Sequence, residues 1–454
     1  MSSGAAAQRA GYRMLLRRPG YPSFVLTVTL SRISATMFVT TGVLLILVRT
    51  HSAALAGATT AASTLTWALS APLLGAWLDV VRHRRLLIVI DQMLSAAALV
   101  AMVLLAGHAP AWTLPADAVV MSVTRPFSVG SFFSALAELS GPELLDRASA
   151  VEATSMNLSF VVGPALGGVI AGAAGAGTAI YVQAGMTVCV AALIAANRVF
   201  EVRPAERPAR AGQALRQGVH GLVGTPILVR TGLASILAMF GWGLMTVGFP
   251  LYAARLLHAG AHASGYLWAA VGLGSAIGTF ALAGAASLRR VGGSYAALGL
   301  SSLLWPLAGS LGAGFAMITF TGILEGPAYS GTIELRQRHT PPAVRAGVTS
   351  TLGAFTLTAS SAGAAIAGVV ARPVALIFAF LAVNLVAALV AIRGGVSEPG
   401  GRHGPGESRA AQDDTDEADT AGSDSVYELP ATPEHAASEP QSASGATRDP
   451  AQDL

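Results

Sequence analysis

The chain has 454 residues, of which 53% are hydrophobic and only 11% are charged. Soluble proteins carry about 25% charged residues, so this composition excludes a soluble globular protein and indicates a chain that crosses the membrane repeatedly. All basic residues are arginine, which excludes a P-loop ATP site because that loop requires a lysine, and the single Cys189 excludes an internal disulfide and a cysteine-based metal site.

A membrane-spanning helix needs about 20 consecutive, mostly apolar residues. Twelve segments of the chain meet this requirement, which predicts an all-α polytopic membrane protein with twelve transmembrane helices. In chain order the predicted spans are 23–48, 53–76, 86–106, 117–138, 153–174, 179–197, 228–254, 264–286, 292–311, 313–334, 347–371 and 373–392.

The arginines between the spans are distributed unequally between the two sides of the membrane. With a cytoplasmic N-terminus, twenty arginines lie in cytoplasmic segments and three lie in outer loops, namely Arg49, Arg255 and Arg372. Cytoplasmic loops are enriched in Arg and Lys, so the pattern predicts a multi-pass plasma-membrane protein with both termini in the cytoplasm. The basic segment 1–22 lacks a small-residue cleavage site before span one and therefore predicts an uncleaved signal anchor.

The C-terminal tail differs in composition from the rest of the chain. Residues 398–454 contain 13 acidic residues and 3 arginines, whereas residues 1–397 contain 11 acidic residues and 25 arginines. A segment with so few apolar residues cannot bury a core, so residues 394–454 are predicted to be a disordered, acidic cytoplasmic tail. A docking or regulatory role for this tail is the alternative to a purely solvated one.

The two halves of the chain repeat each other at an offset of 200 residues. The segment that starts at Arg125 aligns with the segment that starts at Glu325, and the helix-five segment "GPALGGVIAG" aligns with "GAAIAGVVAR". This repeat predicts two six-helix halves, 23–197 and 228–393, joined by a central cytoplasmic loop at 198–227. Parallel repeats of this kind place the substrate between the halves near the middle of the bilayer.

Two motifs stand out against this organisation. "GAWLDVVRHRR" lies between spans two and three, and its Gly75, Asp79 and Arg84 match the pattern G-x-x-x-D-R-x-G-R-R, followed by Arg85. It departs from the pattern at Val80, Arg82 and His83. The second motif is G-P-x-x-G-G in span five, formed by Gly163, Pro164, Gly167 and Gly168.

These motifs, the twelve spans and the repeat resemble the major facilitator superfamily over residues 20–393. The resemblance implies a secondary transporter that works by alternating access, with the loop motif bracing the cytoplasmic side of the first half. The helix-five motif is typical of exporters in that superfamily, especially drug:proton antiporters. We therefore expect a monomer that exports a small, partly apolar molecule in exchange for protons, with no enzymatic activity, cofactor, metal or nucleic-acid partner. The alternatives are an importer or symporter of the same fold, and a non-transporting scaffold or sensor that acts through its tail.

Ionisable residues inside a membrane are costly and mark candidate functional sites. Arg32, Arg125 and Glu325 lie near the middle of spans one, four and ten, which line the central cavity in the superfamily. Our hypothesis is that Glu325 carries the proton or binds substrate, with Arg125 or Arg32 as its partner across the repeat axis. A structural ion pair between the halves is the alternative. Asp91, about 8 Å into span three, is expected to pair with the basic cluster at 82–85.

Polar and aromatic side chains on the cavity helices suggest a mostly apolar ligand with a few polar contacts. The alternative for each is packing between helices or anchoring at the membrane surface. A loose glycine pattern, "GLGSAIG" at 272–278, lies in an apolar span without a preceding strand, so it predicts helix packing and not dinucleotide binding. The candidate lining residues are Ser155, Asn157, Trp242, Tyr252 and Tyr329.

Overall fold

The computed structural model describes residues 12–78, 81, 83–201, 216, 219–282, 286–341 and 344–393. The predictions for Asp79, for most of the central loop and for the acidic tail lie outside these residues and stay predictions.

Within the described residues, six long helices form the bundle of the N-terminal half. They are α1 (Tyr21–Thr50), α2 (Ala53–Leu78), α3 (Arg84–Leu105), α4 (Thr113–Gly141), α5 (Glu143–Ala174) and α6 (Ala176–Ala196). The helix of α4 is interrupted at Thr124, and helical hydrogen bonding then runs continuously over Arg125–Ala174 through a kink at Gly141. Gly141 has a φ of 61°, which a residue with a side chain adopts only at a cost, so a glycine is suited to the turn between α4 and α5.

The C-terminal half contains six further helices. They are α7 (Pro226–Arg255), α8 (Ser264–Ala281), α9 (Leu288–Ser301, followed by a 3-10 turn at Ser302–Leu307), α10 (Leu311–His339), α11 (Arg345–Val370) and α12 (Pro373–Ile392). Each of the twelve predicted spans corresponds to one of these helices, and the predicted all-α fold is confirmed. Eight of the helices are individually long and apolar enough to cross a membrane.

Each half has its own buried core. Two apolar clusters lie within residues 15–200, in the N-terminal half. Of the two other clusters described, the larger one forms the core of the C-terminal half. The C-terminal core is built on aromatic rings: Trp242 packs edge-on against Phe380 with ring centres 5.0 Å apart, and Phe249 packs in the same way against Trp268. Such pairs contribute about 0.5–1.5 kcal/mol each beyond their buried area, so each half is packed as a unit.

The two halves meet where α2 crosses α11 and where α5 crosses α8. We call the end of the bundle that carries the α1–α2 and α11–α12 connections the loop face, and the opposite end the terminal face. A methyl group added at Gly57 of α2 would lie 2.4 Å from the carbonyl oxygen of Ala364 on α11. One added at Gly265 of α8 would lie 2.4 Å from the carbonyl oxygen of Pro164 on α5. Both crossings lie toward the loop face and leave no room for a side chain.

The two crossings are related by the internal repeat. Pro164 and Gly168 on α5 occupy the positions that Ala364 and Gly368 occupy on α11, and each pair contacts one glycine of the partner helix. Small residues let helix backbones approach closely where lipid supplies no hydrophobic driving force. The repeated small residues are therefore the contact surface between the halves.

The helix-five motif contacts two different helices. Gly163 and Gly167 lie against α1, where an added methyl at Gly163 would contact the Thr36 hydroxyl and the carbonyl oxygen of Ile33. Gly168 lies against α8 of the other half. The motif thus combines packing within the N-terminal half with the contact between halves.

We expect Gly57→Ala and Gly265→Ala to open the loop face. An added methyl forces the backbones apart, and overpacking of about 1–3 kcal/mol changes the ratio of closed to open states by about 5- to 150-fold. The measurement is the distance between spin labels on exposed loop-face positions, Ala111→Cys and Gly309→Cys, in a Cys189→Ser background. Gly185→Ala is the control, because nothing lies within 4 Å of that position. Unchanged distances in both crossing variants would contradict this assignment.

Candidate functional site

Arg32 of α1 forms an ion pair with Glu152 of α5. Its second terminal nitrogen donates to the carbonyl oxygen of Glu152 at 3.2 Å. Two hydrogen bonds between the same helices flank the pair. The Thr29 and Ser155 hydroxyls are 2.7 Å apart, and the Thr36 hydroxyl donates to the carbonyl oxygen of Ser159 over 2.7 Å. The prediction that Arg32 partners Glu325 is therefore wrong in this conformation, because α5 of the same half neutralises its charge.

Asp91 and Arg125 form a second charged group inside the N-terminal half. Asp91 is 1% exposed and accepts hydrogen bonds from Thr124 at 2.6 Å and from Ser128, both on α4. Arg125 is close enough to attract its carboxylate, and the guanidinium of Arg125 lies 5.5 Å from the ring centre of Trp67 on α2. The described hydrogen bonds of Asp91 go to α4, and Arg82 lies outside the described residues, so the expected pairing with the basic cluster at 82–85 stays a prediction.

Glu325 of α10 accepts a hydrogen bond from Ser275 of α8. It lies beside the closest contact between these helices, where Gly274 and Gly278 of α8 pack against Gly322 and neighbouring backbone of α10. Among the described residues Glu325 forms no ion pair. The predicted pairing of Glu325 with Arg125 across the halves is therefore wrong in this conformation, and the glycine pattern at 272–278 is confirmed as helix packing.

The repeat explains why Arg125 and Glu325 do not meet. The crossing glycines Gly57 and Gly265 align α2 with α8 at an offset of 208 residues, and the same offset aligns Trp67 with Ser275. Arg125 contacts Trp67, and Glu325 bonds to Ser275. Arg125 and Glu325 occupy equivalent positions in the repeat, and each therefore faces the equivalent helix of its own half. For this reason the two side chains do not face each other.

The family model of the Major Facilitator Superfamily matches residues 24–368. The chain belongs to this superfamily. It is 30% identical over 400 residues to the uncharacterized MFS-type transporter y4rN of Sinorhizobium fredii (strain NBRC 101917 / NGR234), which covers 85% of this chain and 96% of that protein.

Solved transporter structures share the fold of this superfamily member. A bacterial homologue of the human lysosomal transporter Spinster, in an inward-facing and occupied conformation, superimposes with a TM-score of 0.63 at 14% identity, over 84% of this chain and 96% of that one. A POT family transporter in complex with 5-aminolevulinic acid gives a TM-score of 0.62 at 13% identity, over 82% of this chain and 94% of that one. At these identities the likeness concerns the fold.

Two predicted cavity residues of this MFS transporter lie instead in its hydrophobic core. Trp242 packs between Trp268 and Phe380, and Tyr252 is buried with its hydroxyl donating to the carbonyl oxygen of Trp305 at 2.7 Å. Their predicted lining role is wrong, because the aromatic core of the C-terminal half takes up both rings.

The other three predicted lining residues have different surroundings. Ser155 is buried between α1 and α5, where its hydroxyl bonds to Thr29, so it does not line the cavity in this conformation. Tyr329 is half exposed on α10, one turn beyond Glu325, and its lining role stays a prediction. Asn157 belongs to α5, but its side chain lies outside the described part of the chain.

The loop motif of the transporter is partly described. Gly75 belongs to the last turn of α2, and Arg84 is buried at the start of α3. Arg85 forms an ion pair of 2.9 Å with Glu201, which follows α6. This contact ties the loop between α2 and α3 to the end of the N-terminal half, although an exposed pair contributes at most about 1 kcal/mol.

The sequence reasoning missed Glu152. The predicted fifth span began at residue 153, whereas α5 begins ten residues earlier, so Glu152 was counted as part of a loop. The signal that identifies it is Arg32, because a cation in the middle of a membrane requires an anion on a neighbouring helix. The sequence reasoning also missed Asp117 of α4. One of its carboxylate oxygens is buried and has no hydrogen-bond partner among the described residues.

We expect Asp91→Asn to destabilise the transporter strongly. The substitution removes the charge that attracts the Arg125 guanidinium and weakens the hydrogen bonds from Thr124 and Ser128, which costs about 1–3 kcal/mol. Thermal unfolding in detergent, followed by tryptophan fluorescence, measures the effect. The double variant Asp91→Asn/Arg125→Met should regain part of the loss, and Glu334→Gln, an exposed acid, should have little effect. An unchanged melting temperature for Asp91→Asn would show that the two charges do not depend on each other.

Proposed function

We propose that this MFS transporter, which works by alternating access, exports a small, partly apolar molecule in exchange for protons. The observation that carries this proposal is the dual role of α8. One part of this helix binds Glu325 through Ser275, and another part crosses α5 of the other half at Gly265. A proton on Glu325 therefore acts directly on a helix that closes the loop face.

The orientation of the chain supports export. The arginine distribution favours a cytoplasmic terminal face, which makes the loop face the outer one. Since both glycine crossings lie toward the loop face, we infer that this conformation is closed on the proposed outer side. An exporter loads its substrate in this state and then separates the crossings to release it.

Glu325 is the best candidate for the proton site. In the N-terminal half, Arg32 is neutralised by Glu152, and Asp91 lies next to Arg125. Glu325 has a hydroxyl as its hydrogen-bond partner and no cation among its described contacts. An ionisable side chain inside a membrane is costly, and a carboxylate whose described partner is a hydroxyl suits a group that binds and releases protons during a transport cycle.

The helix-five motif supports the drug:proton antiporter-like subtype of exporter. Its Pro164 has no counterpart in the second half, where Ala364 occupies the equivalent position. The Pro164 carbonyl oxygen contacts Gly265 at the crossing. Proline cannot donate a backbone hydrogen bond, so α5 is locally weakened at the point where the halves must separate.

We expect Glu325→Gln to abolish proton-coupled export while the protein stays folded. The substrate is first identified by growth of a pump-deficient host that expresses the protein, on a panel of toxic compounds. Accumulation of that compound in energised everted vesicles then measures export. Glu334→Gln on the same helix should transport normally, because Glu334 is paired with Arg338 on the exposed side of α10. A fully active Glu325→Gln protein would place the proton site elsewhere, and transport that survives collapse of the proton gradient would exclude proton coupling.

We expect a variant that ends at residue 397 to keep its transport activity. A carrier needs the helical bundle alone, whereas a scaffold or sensor that acts through residues 398–454 needs the tail. The same vesicle measurement compares the shortened and full-length chains at equal amounts of protein. Loss of transport in the folded, shortened protein would show that the tail takes part in the cycle.

A further inference from the structure

The two charged groups of the N-terminal half differ in accessibility. The side chains of Arg32 and Glu152 are 16% and 11% exposed, whereas Asp91 is 1% exposed and held by hydroxyl donors of α4. A ligand that enters from the space between the halves reaches the first pair and not the second. Of these two groups, the Arg32–Glu152 pair is therefore the more accessible one.

The position of Glu152 on α5 explains this access. Gly163 of α5 contacts α1, and Gly168 contacts α8. Successive residues of an α-helix are rotated by about 100° around its axis, which places Ala153 and Phe160 on the side of α5 between these two contacts. Ala153 and Phe160 are both exposed. This strip of α5 borders the space between the halves, and Phe160 lies on it about 12 Å along the helix axis from Glu152.

The contacts around the pair allow one anion to replace another. Arg32 donates to a carboxylate oxygen and to a carbonyl oxygen, and a guanidinium presents several donors in a plane that matches a carboxylate. The hydrogen bonds of Thr29 and Thr36 hold α1 on α5 about one turn to either side of Arg32. Glu152 can therefore be displaced while the two helices stay in place.

We propose that Arg32 is a binding site for the carboxylate of the transported molecule, and that Glu152 occupies this site until the substrate displaces it. The substrate class is an organic anion with an apolar body, whose carboxylate binds Arg32 and whose apolar part lies against Phe160. This inference deepens the proposed transport function and rests on it. Because Arg32 then exchanges one anion for another, it does not remain in the membrane without a counter-charge.

The test is equilibrium binding to the purified full-length protein in detergent, measured by isothermal titration. The probes are 2-naphthoate and phenylacetate, each compared with its neutral amide. We expect the wild type to bind the carboxylates more tightly than the amides. Arg32→Gln should weaken carboxylate binding by about tenfold or more, since a charge-assisted hydrogen bond is lost, and should leave amide binding unchanged. Glu152→Gln should strengthen carboxylate binding, because the competing anion is removed.

Two further variants keep the test decisive. Arg255→Gln removes an exposed arginine of the loop face, which donates to the Ala371 carbonyl oxygen, and should bind like the wild type. If Arg32→Gln does not fold, Arg32→Lys keeps the charge without the planar geometry and should show a partial loss. Equal binding of carboxylates and amides by the wild type would overturn the proposal. Weaker carboxylate binding by Glu152→Gln would also overturn it, because the pair would then be purely structural.

The binding measurement involves no proton gradient and no direction of transport. Binding of carboxylates by the wild type therefore tests the anion site whether or not Glu325 is the proton site. Failure of the binding test with intact proton-coupled export rejects the substrate class alone. Binding without coupled export rejects the proposed function and leaves the anion site standing.

Discussion

The fold depends on the close approach of helix backbones at two glycine crossings. Within a membrane, lipid tails are as apolar as leucine side chains, so helices associate through close packing and polar contacts. The crossings of α2 with α11 and of α5 with α8 join two halves whose apolar cores are otherwise separate. Because each half is packed as a unit, the contacts that must change during alternating access are concentrated at these crossings.

The charged residues follow from this arrangement. Each half positions its inner charges against its own neighbouring helices, which leaves the surface between the halves to small residues and to the accessible Arg32–Glu152 pair. In the N-terminal half Arg32 is paired with Glu152 and Asp91 lies near Arg125, while the described polar partner of Glu325 is the Ser275 hydroxyl. A symmetric scaffold thus carries an asymmetric charge distribution, and the two halves are suited to different tasks.

Composition and periodicity predict much of this fold, because the need to satisfy every backbone group in lipid leaves few alternatives to helices. The twelve spans and the small residues of α5 and α11 are visible in the sequence. The partners of the charges are not, because they depend on the rotation of each helix. At about 100° per residue, an error of one or two positions turns a side chain to a different neighbour. Glu152 shows the same limit, since the apolar stretch of span five does not reveal how far α5 extends.

The symmetry of the repeat holds for the backbone contacts at the two crossings and not for the side chains around them. The backbone contacts of Gly57 and Gly265 are nearly identical, but the side chains beside them are not. At the α5–α8 crossing the ring of His262 lies against Gly172, and Pro164 supplies the carbonyl oxygen, whereas Ala54 and Ala364 occupy the corresponding places at the α2–α11 crossing. Because the backbone geometry is nearly the same, both crossings bring their helices together through the same kind of glycine–carbonyl contact. In the proposed function, the bond from Ser275 to Glu325 makes the α5–α8 crossing the one through which a change of charge in the C-terminal half would reach the N-terminal half.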